Sequence, residues 1–483
     1  MRPPAMVMAA FDASGVIAWH GAGEPRLDGA PVTRETVFRI ASMTKSFLAA
    51  TALALAESGT LDLSAGIDRY LPGVRFLHRG VEQRVTVADL LANRSGMPED
   101  NAWADRQLGA SIDYIASLFA EGIELAVAPG VRFQYSNLGM SLVGRVIESI
   151  VGRPIEEEIR ARFLDPLGLS HTRFAREDYP AGTDIAHGFR SFDEGATFVP
   201  EPFIGEGALA AIGGLFSTVD DIARWGWFLA SAFTDSPLKP ELLSARGRIE
   251  MQRAHTPIPV PQPTAHRDLQ SLGYGLGLIA SYDRALGPIV DHSGGLPGFS
   301  SNMRWHTDSG IGIVAFGNSD ACRAETLAVA AHAEVMAAAA VPPLTVRPWP
   351  LALEAGELLD DLLRDGGALT EAARVTSANF FADAPDEIRR RRVAALLAEV
   401  GDPTTPMPFA TRIIGASDAA HLRWRIDCER GALVCDIRLI GLNEPLVQSL
   451  TVAIADDAGR APRTGEPGLQ VLSAVVLDGA SIS

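Results

Sequence analysis

Residues 5–20 alternate apolar and polar positions with a period of two on either side of Asp12-Ala13-Ser14-Gly15, which predicts a β-hairpin. The pattern changes at Ser42. Residues 44–58 form an apolar, Ala-rich run stopped by Gly59, the mark of a buried helix with Ser42 at its N-terminus. Helical periodicity then dominates to about residue 235, over 87–91, 112–119, 138–150, 155–163 and 219–230. Strand patterns return at 274–278, 288–293, 301–306 and 311–316, and a helix over 325–340 follows. Strands at both ends with helices between them predict an α/β domain over 1–341: one mixed, mainly antiparallel sheet from about 1–60 and 270–341, and an all-helical insertion over about 61–269.

Pro342-Pro343-Leu344-Thr345-Val346-Arg347-Pro348-Trp349-Pro350 breaks the pattern, so 342–350 reads as a linker without regular structure. Beyond it, helices over 353–363, 371–381 and 386–400 precede strands over 412–414, 422–426, 433–440 and 447–454. This is a small α+β domain, 351–483, whose order resembles nuclear-transport-factor-2-like domains.

Composition narrows the function. A net charge of -17 argues against nucleic acid and anionic membrane surfaces as partners. No stretch approaches the ~20 apolar residues that span a bilayer. The apolar run in 1–12 is too short for a secretory signal, and Cys322, Cys428 and Cys435 read as thiols, so a cytoplasmic address is expected. No Cys-x-x-Cys or His-Glu-x-x-His spacing occurs, and neither a metal nor a cofactor is expected.

Only two of the 42 basic side chains are lysine. Lys45 stands three residues after Ser42 in Ser42-Met43-Thr44-Lys45, one helical turn away and on the same face. Burial can push a lysine several units below its ordinary pKa, which makes it a base that arginine cannot be. Lys239 has the same spacing from Ser236 but lies between Pro237 and Pro240, a solvated loop. Two further segments carry chemistry: Phe133-Gln134-Tyr135-Ser136-Asn137-Leu138-Gly139, a loop opening a helix, and Asp291-His292-Ser293-Gly294-Gly295, a strand with glycines where another backbone comes close.

In this order the three segments resemble the signature of the serine β-lactamases and penicillin-recognising serine hydrolases: Ser-x-x-Lys, then Tyr-x-Asn, then a Lys/His-Ser/Thr-Gly strand. Leu90-Leu91-Ala92-Asn93-Arg94-Ser95-Gly96-Met97-Pro98 and Ala211-Ile212-Gly213-Gly214-Leu215-Phe216-Ser217-Thr218 resemble its class C-like branch. The resemblance covers about residues 5–340 and implies a β-lactamase-like fold with the site between sheet and insertion. It implies Ser42 as nucleophile, with Lys45 or Tyr135, the latter as a phenolate favoured by a nearby cation, as the base. Asn137, His292, Ser293, Gly294 and Gly295 are implied to bind substrate, with the backbone N–H groups of Ser42 and Gly295 holding the oxyanion.

Position 292 departs from the family's usual lysine. Histidine is largely neutral at pH 7 unless a carboxylate such as Asp291 raises it. The expected substrate is therefore a small molecule or short peptide: an amide, D-peptide or ester, with little lactam hydrolysis. A true class C-like β-lactamase and a non-catalytic penicillin-binding-like sensor stay open as alternatives.

Overall fold

The computed structural model describes residues 4–25, 27, 30–193, 195–205, 207–339, 348–405 and 407–455. The chain divides into two compact units, Met1–Pro343 and Leu344–Ser483.

In the first unit, strand β1 (Met6–Asp12) pairs antiparallel with β2 (Gly15–Ala22). Asp12 closes the turn by accepting from the Ser14 N–H at 2.7 Å and the Ser14 hydroxyl at 2.6 Å. The other edge of β1 pairs with a strand from the far end of the unit. With β3 (Thr256–Pro257), β4 (Leu269–Tyr274), β5 (Ile279–Asp283), β6 (Gly287–Leu296), β7 (Phe299–His306) and β8 (Gly312–Gly317), it builds an eight-stranded sheet in the order β3-β4-β5-β6-β7-β8-β1-β2, antiparallel at each pairing.

Helices cover both faces of the sheet. The four that matter most are α1 (Thr44–Glu57), α2 (Asn137–Val151), α3 (Val219–Ala230) and α4 (Ala324–Ala338). Every position of β8 is buried, as expected of a strand enclosed on two sides. Ile313 and Ala315 pack on Ala324 and Ala328 of α4, whereas Val314 and Phe316 join the main core with Trp225 of α3. Phe47 of α1 stacks on Trp225 at 3.9 Å between ring centres, and the Trp225 indole N–H donates to Ser46 Oγ at 2.9 Å. Burying a side chain of this size stabilises by roughly 2–3 kcal/mol, so α1 is fixed from behind before its chemistry is considered.

Three expectations need correction. Residues 274–278 are no strand: only Tyr274 ends β4, and 275–278 turn the chain into β5. Gly277 takes φ 69° and lies so close to α1 that a Cβ would meet the Lys45 carbonyl oxygen at 2.6 Å and Ala49 Cβ at 2.8 Å, so packing against α1 overrides the strand pattern. The insertion is not all-helical either. Phe76–His78 and Val81–Gln83 form a hairpin whose two turn residues, Arg79 and Gly80, both have positive φ, matching the twist of the strands. Finally, 342–347 lies outside the described residues, but Pro350 opens a helix instead of ending a linker, because proline lacks only an N–H that a first helical residue does not need.

In the second unit, helices α5 (Pro350–Asp365) and α6 (Asp386–Val400) precede a meander of β9 (Ile413–Gly415), β10 (His421–Cys428), β11 (Gly431–Ile440) and β12 (Leu446–Ile454). Ala352, Ala355, Leu359, Leu362 and Leu363 put one apolar face of α5 into the core around Trp424. Asp360 is buried there with its charge answered: Arg412 donates to both carboxylate oxygens, at 2.7 and 2.5 Å, and the Trp424 indole N–H donates at 2.9 Å.

Gly277→Ala should lower stability by about 2–3 kcal/mol, since it adds both backbone strain and a clash with α1. Thermal unfolding checks this: an unchanged midpoint would mean that α1 does not depend on this approach.

Candidate active site

Ser42 sits in a single 3-10 turn, Ala41–Met43, that runs into α1. Ala41 holds φ 50°, a left-handed conformation that costs a residue with a Cβ about 1–2 kcal/mol. Its surroundings over-determine it. Ser301 Oγ donates to the Ile40 carbonyl at 2.7 Å, the Ile40 N–H donates to the Leu215 carbonyl at 3.0 Å, and Thr44 Oγ1 donates to the Ala41 carbonyl at 2.7 Å. Gly294 of β6 lies so close that a Cβ there would overlap the Ile40 carbonyl oxygen. The result is a half-buried hydroxyl at the start of a buried helix.

Lys45 is fully buried one turn on, its Nζ 2.9 Å from Ser42 Oγ and 2.7 Å from the Ile212 carbonyl oxygen. Burial pushes its pKa down to about 7, against the opposing pull of Asp105 and Asp100. Lys239 is exposed and faces Glu241 at 3.8 Å, so the second Ser-x-x-Lys spacing is empty of chemistry.

Tyr135 is held by its neighbours in sequence. Asn93, itself at φ 50°, accepts from the Gln134 N–H on its carbonyl and from the Ser136 N–H on Oδ1, both at 2.9 Å, gripping the backbone on either side of Tyr135. Asp100 then serves the open start of α2, accepting from the Asn137 N–H at 2.7 Å, the Leu138 N–H at 3.0 Å and the Ser136 hydroxyl at 2.9 Å. Lys45 Nζ lies 5.2 Å from the centre of the Tyr135 ring. Burial pushes the phenol above its ordinary range, and a hydrogen bond with Ser42 offsets this only in part. Of the two alternatives for the base, loss of solvent and the charges of Asp105 and Asp100 therefore disfavour the Tyr135 phenolate.

The predicted substrate-binding residues divide. Asn137 is fully buried and its Nδ2 donates to Asn101 Oδ1 at 2.7 Å, while its Oδ1 has no hydrogen-bond partner among the described residues; the side chain is enclosed, not open to a ligand. Side chains alternate along β6, so His292 and Gly294 face α1 whereas Asp291 and Ser293 face α4. Ser293 Oγ donates to Glu325 Oε2 at 3.1 Å and accepts from Asn302 Nδ2 at 3.0 Å, which removes it from the Ser42 side.

His292 is 3% exposed. Its Nδ1 lies 2.7 Å from the Ser293 carbonyl and so carries the proton, leaving Nε2 to accept from the Tyr274 hydroxyl at 3.1 Å. Burial, reinforced by the charge of Lys45, pushes His292 down to about 3. Asp291 does not rescue a cation, because it faces away toward Arg304. His292 therefore braces Tyr274, whose ring meets that of Tyr135 edge-on at 6.0 Å. Gly295 is exposed on an edge with open space beside it, since β5 follows β6 only as far as Asp291. It lines a cleft of about 500 Å³ together with Asp105, Arg106 and Ser300.

Asn93 lies in the Leu90 to Pro98 segment but is not singled out there, and Asp100, Asp105 and Tyr274 are site residues that sequence reasoning misses. The acidic Glu99-Asp100 pair directly after the Leu90 to Pro98 segment is the one available signal. The Ile212 carbonyl is silent in any sequence, because it is backbone.

The Beta-lactamase family model matches residues 3–335, and the chain belongs to that family. Protein flp of Staphylococcus aureus is 26% identical over 301 residues, which cover 61% of this chain and 55% of that protein, so the chain spans little more than half the length of this curated relative. Among solved structures, the octameric penicillin-binding protein homologue from Pyrococcus abyssi has a TM-score of 0.61 at 22% identity and covers 94% of this chain and 93% of its own. The D-amino acid amidase from Ochrobactrum anthropi SV3 has a TM-score of 0.54 at 24% identity and covers 69% and 94%. These two share the fold.

Asp100→Ala should cost about 2 kcal/mol or more by leaving three donors without their acceptor, and should slow labelling of Ser42 by a fluorophosphonate. Denaturant unfolding and labelling rates measure both. Equal stability with unchanged labelling would show that the start of α2 is not held by this carboxylate.

Proposed function

We propose that this protein is a serine hydrolase that cleaves amides, short D-peptides or esters through an acyl-enzyme on Ser42. The supporting observation is the buried Lys45 within hydrogen-bond distance of Ser42 Oγ, poised near neutrality. A neutral Lys45 donates to the Ile212 carbonyl and accepts the Ser42 proton as Oγ bonds to the substrate carbonyl carbon. The backbone N–H groups of Ser42 and Gly295 receive the oxyanion. Tyr135 stays a phenol, hands its proton to the leaving amine or alcohol and regains one from Lys45. Water then cleaves the Ser42 ester, with its proton taken along the same path.

The neutral, enclosed His292 supports amides and esters over lactams, because it offers no cation to a substrate carboxylate. The D-amino acid amidase that shares this fold is an amide hydrolase by name. The same proposal takes Leu344–Ser483 as an accessory domain and the cytoplasm as the place of action, the latter supported by three cysteines present as thiols. No helix among the described residues is long and apolar enough to cross a membrane.

Neutral Lys45 is the competent form and its fraction grows as pH rises, so Ser42 acylation by a chromogenic ester should climb with pH and level off above a midpoint at about 7. Lys45→Arg, with the fold intact, should slow acylation roughly 10²–10⁴-fold, because arginine keeps the charge but exchanges no proton. Wild-type turnover in that variant would refute the reading.

A further inference from the structure

The cleft beside Gly295 holds charges of both signs, but most are answered within the protein. Arg106 pairs with Glu201, and Arg190 pairs with Asp320 at 2.6 Å. Asp100, outside the cleft lining, is committed to the start of α2. Asp105 is left: it lines the cleft with Gly295 and Ser300, is half-buried, and its carboxylate makes no hydrogen bond or ion pair among the described residues. It also stands close enough to the chemistry that its charge acts on both Lys45 and Tyr135. Lys45 and Arg106 favour the ionised form from a distance, but the partly desolvated carboxylate has no cation in contact among the described residues, and a cationic ligand supplies that contact.

We propose that Asp105 is a specificity residue that selects acyl donors carrying an ammonium group near the scissile carbonyl, that is, amides and esters of amino acids or peptides with a free amino terminus, and that it turns away donors with a carboxylate there. The geometry fits. Asp105 and Gly295 line the same cleft, so a substrate whose carbonyl oxygen sits at Gly295 places its neighbouring substituent in the space that Asp105 also lines. Burial raises Asp105 to about 6 while Lys45 opposes the rise, so the carboxylate is mostly ionised at pH 7. The inference rests on the Ser42 acyl-enzyme reading and adds the charge of the substrate to it.

The test compares kcat/KM for D-alanyl, L-alanyl, propionyl and succinyl p-nitroanilides, whose acyl groups are cationic, neutral and anionic, in wild type, Asp105→Asn and Asp105→Glu. Wild type should prefer at least one alanyl compound over propionyl by 10-fold or more, with succinyl poorest. Asp105→Asn should shrink the alanyl-to-propionyl ratio at least 10-fold, and Asp105→Glu should retain most of it. A wild-type ratio near one, or a ratio that survives Asp105→Asn, overturns the assignment while leaving the hydrolase intact. Should Asp105→Asn fail to fold, the wild-type series and Asp105→Glu still decide. Absence of turnover together with absence of Ser42 labelling sinks the hydrolase reading, and this inference with it.

Discussion

A lysine ammonium in the middle of a hydrophobic core is the constraint around which the first unit is arranged. Lys45 has Ser42 Oγ and the Ile212 carbonyl as its hydrogen-bond partners, with no carboxylate in contact among the described residues. Isolated charge is expensive to bury, and the group responds by giving up its proton readily. That response needs a dry, unyielding pocket. Phe47 on Trp225, the close approach of Gly277 to the Lys45 carbonyl, and the Ala-rich face of α1 together make one. Packing and chemistry are the same feature seen at two scales.

The second requirement is placement. Ser42 is raised by a left-handed Ala41 that the sheet and the 212–215 segment hold in position. Tyr135 is gripped by Asn93, and the start of α2 by Asp100. The carboxylates sit one step back from the reacting hydroxyl, where they keep part of the positive charge on Lys45 without pairing with it. Had Asp100 or Asp105 formed a direct salt bridge, the lysine would be a fixed cation and useless as a base.

Local features were legible in the sequence because their causes are local. The first hairpin follows from alternation and an Asp-Ala-Ser-Gly turn, and α1 from an apolar run with Ser42 before it. Lys45 stood out against the arginine-rich background and Lys239 did not, since prolines flank the latter. Long-range causes were not legible. The turn at 275–278 is imposed by α1, which no window around Tyr274 contains. The side of β6 on which Ser293 falls depends on pairing with Asn302 and packing on Glu325. The proton on His292 is fixed by its own backbone neighbour and by Tyr274, and the lack of a contact partner for Asp105 follows from Arg106 and Arg190 pairing with Glu201 and Asp320, which are far away in sequence.

The chain's scarcity of lysine makes the central claim directly measurable. Protein labelled at the lysine side-chain nitrogen or ε-carbon presents only Lys45 and Lys239 to NMR, and Lys239→Arg assigns the two signals. The Lys45 signal is expected to titrate at about 7. A Lys45 signal that titrates like an ordinary lysine, near ~10.4, would contradict it.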